Sequence, residues 1–199
     1  NLIPRFYDVT EGSIRVNGVD SQDVPQEELR SKIGFVPQKA LLFTGTIAEN
    51  IRFGKEDATD EEVAHAAHIA QATDFIERMP DGYDARIEQG GSNVSGGQKQ
   101  RLSIARALVR RPDLYVFDDS FSALDFKTDA ALRKALREET REATVLIVAQ
   151  RVSTVIDADQ IIVLDEGKVA GIGTHDELFA DNAVYQEIVK SQLSEEEIA

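Results

Sequence analysis

The sequence predicts an α/β fold, and three observations carry that expectation. Leu114-Tyr115-Val116-Phe117, Val145-Leu146-Ile147-Val148 and Ile161-Ile162-Val163-Leu164 are apolar runs of strand length separated by helical or loop segments, the pattern of parallel βαβ units. From Lys39 to Arg111 helical periodicity dominates instead, so a helical insert precedes those strands. Within it, residues 93 to 101 (Asn-Val-Ser-Gly-Gly-Gln-Lys-Gln-Arg) open a long amphipathic helix, with Leu102, Ile104, Ala105, Leu108 and Val109 at helical spacing and Pro112 as its stop.

Taken in order, Asn1 to Tyr7 reads as the frayed tail of a helix, as if the chain began within a domain. Ser13-Ile14-Arg15-Val16 alternates, and Asn17-Gly18 after it is a strong hairpin signal. Gln26 to Arg30 reads as a helical turn or two, and Ile33-Gly34-Phe35-Val36 as a short buried strand ended by Pro37-Gln38. Helices are expected over Thr46 to Phe53, Asp60 to Ala72 and Asp74 to Met79, with loop breaks at Pro80-Asp81-Gly82 and Gln89 to Ser92. Gly167 to Gly173 reads as a closing hairpin arm. Two helices follow, with Leu178, Tyr185, Ile188 and Val189 as core positions, and Glu195-Glu196-Glu197 forms a charged tail.

The chain has 199 residues, 42% of them hydrophobic, enough for one large domain or a core with a subdomain. It contains no run of eighteen apolar residues and no charged-then-apolar leader, so any membrane link comes through a partner or another segment. Without cysteine it forms no disulfide and no thiolate metal site. A net charge of −14 argues against a nucleic-acid partner, whose phosphates call for clustered Lys and Arg.

Two stretches suggest chemistry. Ser95 and Gln98 have the Ser-x-x-Gln spacing of a capping box. Capping does not require Gly96 and Gly97, which cost helix stability and are useful where another body approaches the backbone. A phosphate fits such a place, since a helix start offers unpaired N–H donors and the positive end of the dipole. Asp118 ends an apolar strand, where open α/β sheets bind ligands; it reads either as a carboxylate for Mg²⁺ or as a cap for the following helix.

Ser95-Gly96-Gly97-Gln98 resembles the signature motif of the ATP-binding cassette (ABC) family, which touches the γ-phosphate of ATP held by a second copy of the domain. Asp118-Asp119-Ser120-Phe121-Ser122-Ala123-Leu124-Asp125 resembles that family's Walker B strand and D-loop, and Pro37-Gln38 its Q-loop. These segments stand in the family's order at comparable spacing over essentially the whole chain. Phe43 to Ile51 and Gly173 to Leu178 further resemble the family's exporters, whose cassette follows six membrane helices and docks onto coupling helices through the loop after the Q-loop.

The resemblance implies a RecA-like P-loop core over residues 1–38 and 112–199, a helical subdomain over 39–111, and ATP with Mg²⁺ as cofactors. Asp118 would bind Mg²⁺ through water, Gln38 would sense it, Ser95, Gly96, Gly97 and Gln98 would clamp the partner's ATP, and Asp125 would couple the two sites. The partners would be a second nucleotide-binding domain and an upstream transmembrane domain, at the cytoplasmic face of the cell membrane.

Three departures qualify it. No Gly-x-x-x-x-Gly-Lys-Ser/Thr occurs, so the phosphate-cradling loop and its lysine are absent from these residues. The family places that loop just upstream of where Asn1 begins, and the expectation is a truncated cassette. Asp119 stands where the family carries its catalytic glutamate; it is one methylene shorter, and a small misplacement of a general base costs on the order of 100-fold in rate. Gln150 stands at the switch histidine, and an amide cannot carry positive charge or shuttle a proton. Two such changes in one site resemble the degenerate half of a heterodimeric exporter, paired with a subunit that has Glu and His. A homodimeric exporter, a soluble ABC ATPase and a non-hydrolysing nucleotide switch are the alternatives. His65 and His68 read as a solvated helix face, Glu88 as a loop residue where exporters contact the opposite membrane domain, and Arg110-Arg111 as complements to a helix dipole.

Overall fold

The computed structural model describes residues 1–192, so the acidic run Glu195-Glu196-Glu197 lies outside the described residues. The first residues form a turn rather than the end of a helix: the Phe6 N–H donates to the Asn1 carbonyl at 3.0 Å, and Arg5 adopts φ 51°. The Arg5 guanidinium anchors that turn on the carbonyls of Ser21 and Val24, at 2.9 and 3.1 Å. As expected, Asn17-Gly18 makes a tight hairpin between β1 (Arg15–Val16) and β2 (Val19–Asp20). Both turn residues have positive φ, 52° and 81°, as a type I′ turn demands.

Helix α1 (Gln26–Ser31) leads into β3 (Ile33–Val36). The chain then leaves the sheet for β4 (Gly45–Thr46), α2 (Ile47–Arg52), α3 (Asp60–Ile69), α4 (Thr73–Ile76), β5 (Arg86–Ile87) and α5 (Gly96–Leu108), with 3₁₀ turns at Gly82–Asp84 and Gln89–Gly91. It returns as β6 (Leu114–Asp118), α6 (Phe126–Glu139) and β7 (Thr144–Val148). The sheet order is β3-β6-β7, every pair parallel, with Val36 opposite Phe117 and Asp118 opposite Val148. Residues 37–113 therefore leave one strand and re-enter its neighbour, which places the residues following β3 beside those following β6.

Helix starts follow local chemistry. Thr46 with Glu49, Thr59 with Glu62, and Ser95 with Gln98 form complete capping boxes, each satisfying two backbone N–H groups. Helix ends depart from the expected spans. Helix α5 ends at Leu108 with Val109 as its C-cap, and Arg111, disfavoured in the α region because a proline follows it, turns to φ 49° ahead of Pro112. Gln71, at φ 57°, likewise closes α3 at Ile69 instead of Ala72, and the helix expected to Met79 ends at Ile76.

Phe117, Ile47, Ile51, Ile87, Leu102 and Ile104 are fully buried in one core shared by the helices and β6. Strand β7 pairs parallel with β6, as its apolar run indicated, but it differs from β6 in burial: only β6 pairs with it among the described residues, and Thr144, Val145 and Val148 are exposed.

By backbone contacts the chain divides into two units, Asn1–Val148 and Ala149–Ala199. The second contains α7 (Val152–Val155), β8 (Ile161–Asp165), β9 (Lys168–Gly173), α8 (His175–Asp181) and α9 (Ala183–Gln192). Here β8 pairs antiparallel with β9, the hairpin expected at Gly167, and joins no parallel neighbour among the described residues. Leu178, Tyr185 and Val189 are buried in this unit's own core and Ile188 packs against it, as their spacing indicated.

Close packing fixes the seam between α2 and α5. A Cβ on Gly54 would lie 2.0 Å from the Arg106 carbonyl oxygen, a backbone atom that cannot rotate away. We expect Gly54→Ala to lower stability by about 3 kcal/mol, read as a fall in the urea unfolding midpoint.

Candidate functional site

At the carboxyl ends of β3 and β6 three sequence-predicted residues come together. Gln38 donates from Nε2 to Oδ2 of Asp119 at 3.0 Å, and Asp118 is the last residue of β6. The Asp118 carboxylate is partly exposed and has no hydrogen-bond or ion-pair partner among the described residues, so it is not the cap of the following helix. That cap is Asp125, at the start of α6. A carboxylate with open acceptor positions at a strand end suits a hydrated Mg²⁺, although no cluster of three or more His, Cys, Asp or Glu able to hold a metal exists among the described residues.

Asp119 adopts φ 45°, a left-handed conformation that aspartate tolerates at a cost of about 1 kcal/mol. Its N–H donates to the Val148 carbonyl at 2.8 Å, and its carbonyl accepts from the Ser122 hydroxyl at 2.9 Å. The backbone is thus held on both sides of the kink that turns this side chain toward Gln38.

Two residues passed over in the sequence hold the strand ends together. Ser120 is completely buried and donates to the Val36 carbonyl at 2.9 Å. Gln100, also buried, reaches from α5 to the Pro37 carbonyl at 3.2 Å. A signal for Gln100 exists: it lies four and eight residues before Ile104 and Leu108, on the apolar stripe of α5, where a polar group requires a partner. Ser120 carries no comparable signal, because a serine after two aspartates reads as an ordinary turn.

The segment Ser95 to Gln98 caps α5 as its spacing predicted. The Gln98 N–H donates to Ser95 Oγ at 3.2 Å, and Gln98 Oε1 accepts from the Ser95 N–H at 2.8 Å. The N–H groups of Gly96 and Gly97 have no acceptor among the described residues, which leaves the first turn able to receive an anion. The two glycines differ, however. A Cβ on Gly96 would meet nothing within 4 Å, whereas one on Gly97 would lie 3.2 Å from the Ala123 carbonyl. Only Gly96 answers to approach by another body alone; Gly97 also gives clearance to the loop that follows β6.

Asp125 stands beyond that loop. Oδ1 accepts from the Thr128 N–H at 2.9 Å and Oδ2 from the Thr128 hydroxyl at 2.7 Å; hydrogen bonds from that hydroxyl first, then from the amide, hold its pKa below the ordinary aspartate value. Gln150 belongs to the second unit, where its carbonyl accepts from Gln192 Nε2 at 2.7 Å and the Gln192 Oε1 accepts from the Val152 N–H at 2.9 Å. His65 pairs with Glu139 at 2.9 Å, which explains it without a metal. Glu88 accepts from the Ser92 hydroxyl at 2.7 Å and so orders its own loop.

A separate surface lies at the far end of α5. Leu41, Phe43 and Phe53 are large apolar residues that are 67%, 47% and 67% exposed. The rings of Phe43 and Phe53 are 4.4 Å apart between centroids.

Comparison with known proteins is consistent across sequence and structure. The family described as ABC transporter matches residues 1–122. An uncharacterized ABC transporter ATP-binding protein of Mycobacterium tuberculosis is 48% identical over 195 residues, covering 96% of this chain and 33% of that protein. A putative multidrug export ATP-binding/permease protein of Staphylococcus aureus is 45% identical over 192 residues, covering 96% and 33%. Among solved structures, a bacterial Atm1-family ABC exporter with ATP bound superposes with a TM-score of 0.94 at 41% identity, over 98% of this chain and 34% of that one. The chain therefore spans about a third of the length of the curated relatives it matches.

The contrast between the glycines is testable. Gly96→Ala leaves the folded chain intact and gains roughly 0.5–1 kcal/mol of helix stability, whereas Gly97→Ala pushes on the Ala123 carbonyl and shows no such gain; thermal unfolding separates them. Asp125 supplies a pH test. Because its folded pKa is depressed, its advantage over Asp125→Asn is fully present above the ordinary aspartate range and disappears as pH falls through the lower folded value. Unfolding midpoints compared from neutral pH into acid will follow that loss.

Proposed function

The chain belongs to the ABC transporter family, and from that premise we propose that it is the ATP-binding domain of an exporter, in the half of a heterodimer whose own hydrolytic site is weakened. One observation carries the reading. Asp119 occupies the place of the attacking-water base with a side chain one methylene short, on a left-handed backbone, while its carboxylate receives the Gln38 amide at 3.0 Å. A base must lie within hydrogen-bond reach of the water it activates, and both the shorter reach and the competing donor work against that. Gln150 in place of a protonatable histidine points the same way.

The site residues have the following roles in this reading. Bound Mg²⁺ and ATP supply the phosphoryl group and the charge neutralisation around it. Asp118 offers an outer-sphere carboxylate to the metal, and Gln38 reports its presence through the loop after β3. Ser95, Gly96, Gly97 and Gln98 present the start of α5 to the γ-phosphate held by the partner cassette, and Asp125 links the two sites through the loop that touches Gly97. No Gly-x-x-x-x-Gly-Lys pattern occurs within these 199 residues, and no phosphate-cradling role is given to any of them in this reading.

Residues 39–111 form the helical subdomain in this proposal and residues 1–38 with 112–199 the core. The exposed face of Leu41, Phe43 and Phe53 fits docking onto helix ends of a transmembrane domain, which supports placement at the cytoplasmic side of a membrane. No helix among the described residues is long and apolar enough to cross a membrane itself.

ATPase turnover tests this, with the full-length protein assayed alone, with its partner half-transporter, and with a partner whose catalytic glutamate is changed to glutamine. We expect turnover only with the intact partner, and Asp119→Asn changing it by less than about 3-fold. Brisk turnover by the protein alone, abolished by Asp119→Asn, would make Asp119 a working base and the protein a homodimeric exporter.

A further inference from the structure

Arg106 is a largely desolvated cation without a counter-charge. It sits near the C-terminal end of α5, where burial pulls its pKa down to about 10, and no Asp or Glu pairs with it among the described residues. Its donors instead serve neutral oxygens: Nε the Asn50 carbonyl at 2.8 Å, Nη1 the Leu41 carbonyl at 2.8 Å, and Nη2 the Asn50 side-chain oxygen at 3.0 Å. The same guanidinium faces the rings of Phe43 and Phe53, 5.1 and 5.6 Å from their centroids.

Asn50 completes the grip. Its side chain is buried, accepts from the Phe43 N–H at 2.9 Å and donates to the carbonyls of Phe43 and Thr46 at 2.8 and 3.0 Å. Desolvating a cation is costly, and an apolar side chain of similar length would fill this space more favourably. A planar guanidinium alone can stack on two aromatic faces while holding three oxygens in a fixed fork. Its effect is to fix an apolar surface that remains turned outward.

We propose that Arg106 is a positioning residue that holds Leu41, Phe43 and Phe53 in one geometry as the face on which a transmembrane-domain helix end docks. The inference rests on the docking reading above and adds what makes that face rigid. It also gives α5 two working ends. Gly96 at its start faces the nucleotide, and Arg106, ten residues on, lies about 15 Å along the same rigid helix. A displacement at one end is delivered to the other without an intervening loop.

The test uses the full-length protein assembled with its partner in lipid nanodiscs. One spin-label pair reads the separation of the two cassettes and another that of the two membrane halves, before and after ATP–Mg²⁺ with vanadate. In Arg106→Lys and Arg106→Gln the cassette pair closes as in the unaltered protein, while the membrane pair's shifted population falls by about 3-fold, and chymotrypsin cuts faster after Phe43 and Phe53 at a temperature well below each variant's melting temperature. The double variant Phe43→Ala with Phe53→Ala separates the two claims. If it loses the membrane response and both Arg106 variants keep it, the docking face stands and the role of Arg106 is overturned. If the double variant keeps the response, the docking face itself is wrong and the proposal falls with it. Should neither Arg106 variant assemble, Arg106→Met, which fills the same space with an apolar chain and removes the guanidinium without touching the docking face, carries the same expectation and is decisive in the same way.

Discussion

The parallel pairing of β3 with β6 is the constraint on which the candidate site depends. Seventy-seven residues lie between these strands in the chain, yet Val36 and Phe117 stand opposite each other. Hydrogen bonding alone would leave the segments beyond the strands to wander. Two buried polar side chains prevent it: Ser120 binds the Val36 carbonyl and Gln100 the Pro37 carbonyl. A buried carbonyl left unpaired would cost about 1–3 kcal/mol, which enforces the Ser120–Val36 bond firmly; the part-buried Gln100–Pro37 bond adds to it, and together they deliver Gln38 to Asp119.

Helix α5 serves this arrangement along its whole length. Its capped start stands against the loop after β6 through Gly97 and Ala123, and Gln100 one turn later ties it to the residues following β3. Arg101 stacks on Phe75 and donates to the Gln71 carbonyl at 2.7 Å, joining it to the small helices of the insert. At the far end Arg106 gathers the aromatic face. Four polar or glycine positions on one helix thus connect four neighbouring segments, and its apolar residues supply the common core.

Electrostatics in the site come from geometry more than from net charge. A chain of −14 has no general affinity for a nucleotide's phosphates. In the proposed reading, attraction for an anion would come instead from the two unpaired N–H groups at the start of α5, aligned with the helix dipole. The acidic residues that matter have different partners: Asp118 is open, Asp119 accepts from Gln38, and both oxygens of Asp125 are occupied by Thr128.

Much of this was readable without a structure because the signals are local. Asn17-Gly18 forces a tight turn by its φ angles, Ser95 and Gln98 cap a helix because they are three apart, and four apolar residues between turn formers make β3. Motif order likewise brought Gln38, Asp118 and Asp119 into one expected site. Sequence alone could not decide which strands have two neighbours: β7 reads like β6 but is exposed, since burial depends on what lies against a strand rather than on its own composition. Nor could it separate Gly96 from Gly97, identical residues distinguished only by a carbonyl 26 positions away, or show that Arg106 stands between two rings. Those facts arise from contacts between distant segments, and no local pattern encodes a contact whose partner is set by how the whole chain packs.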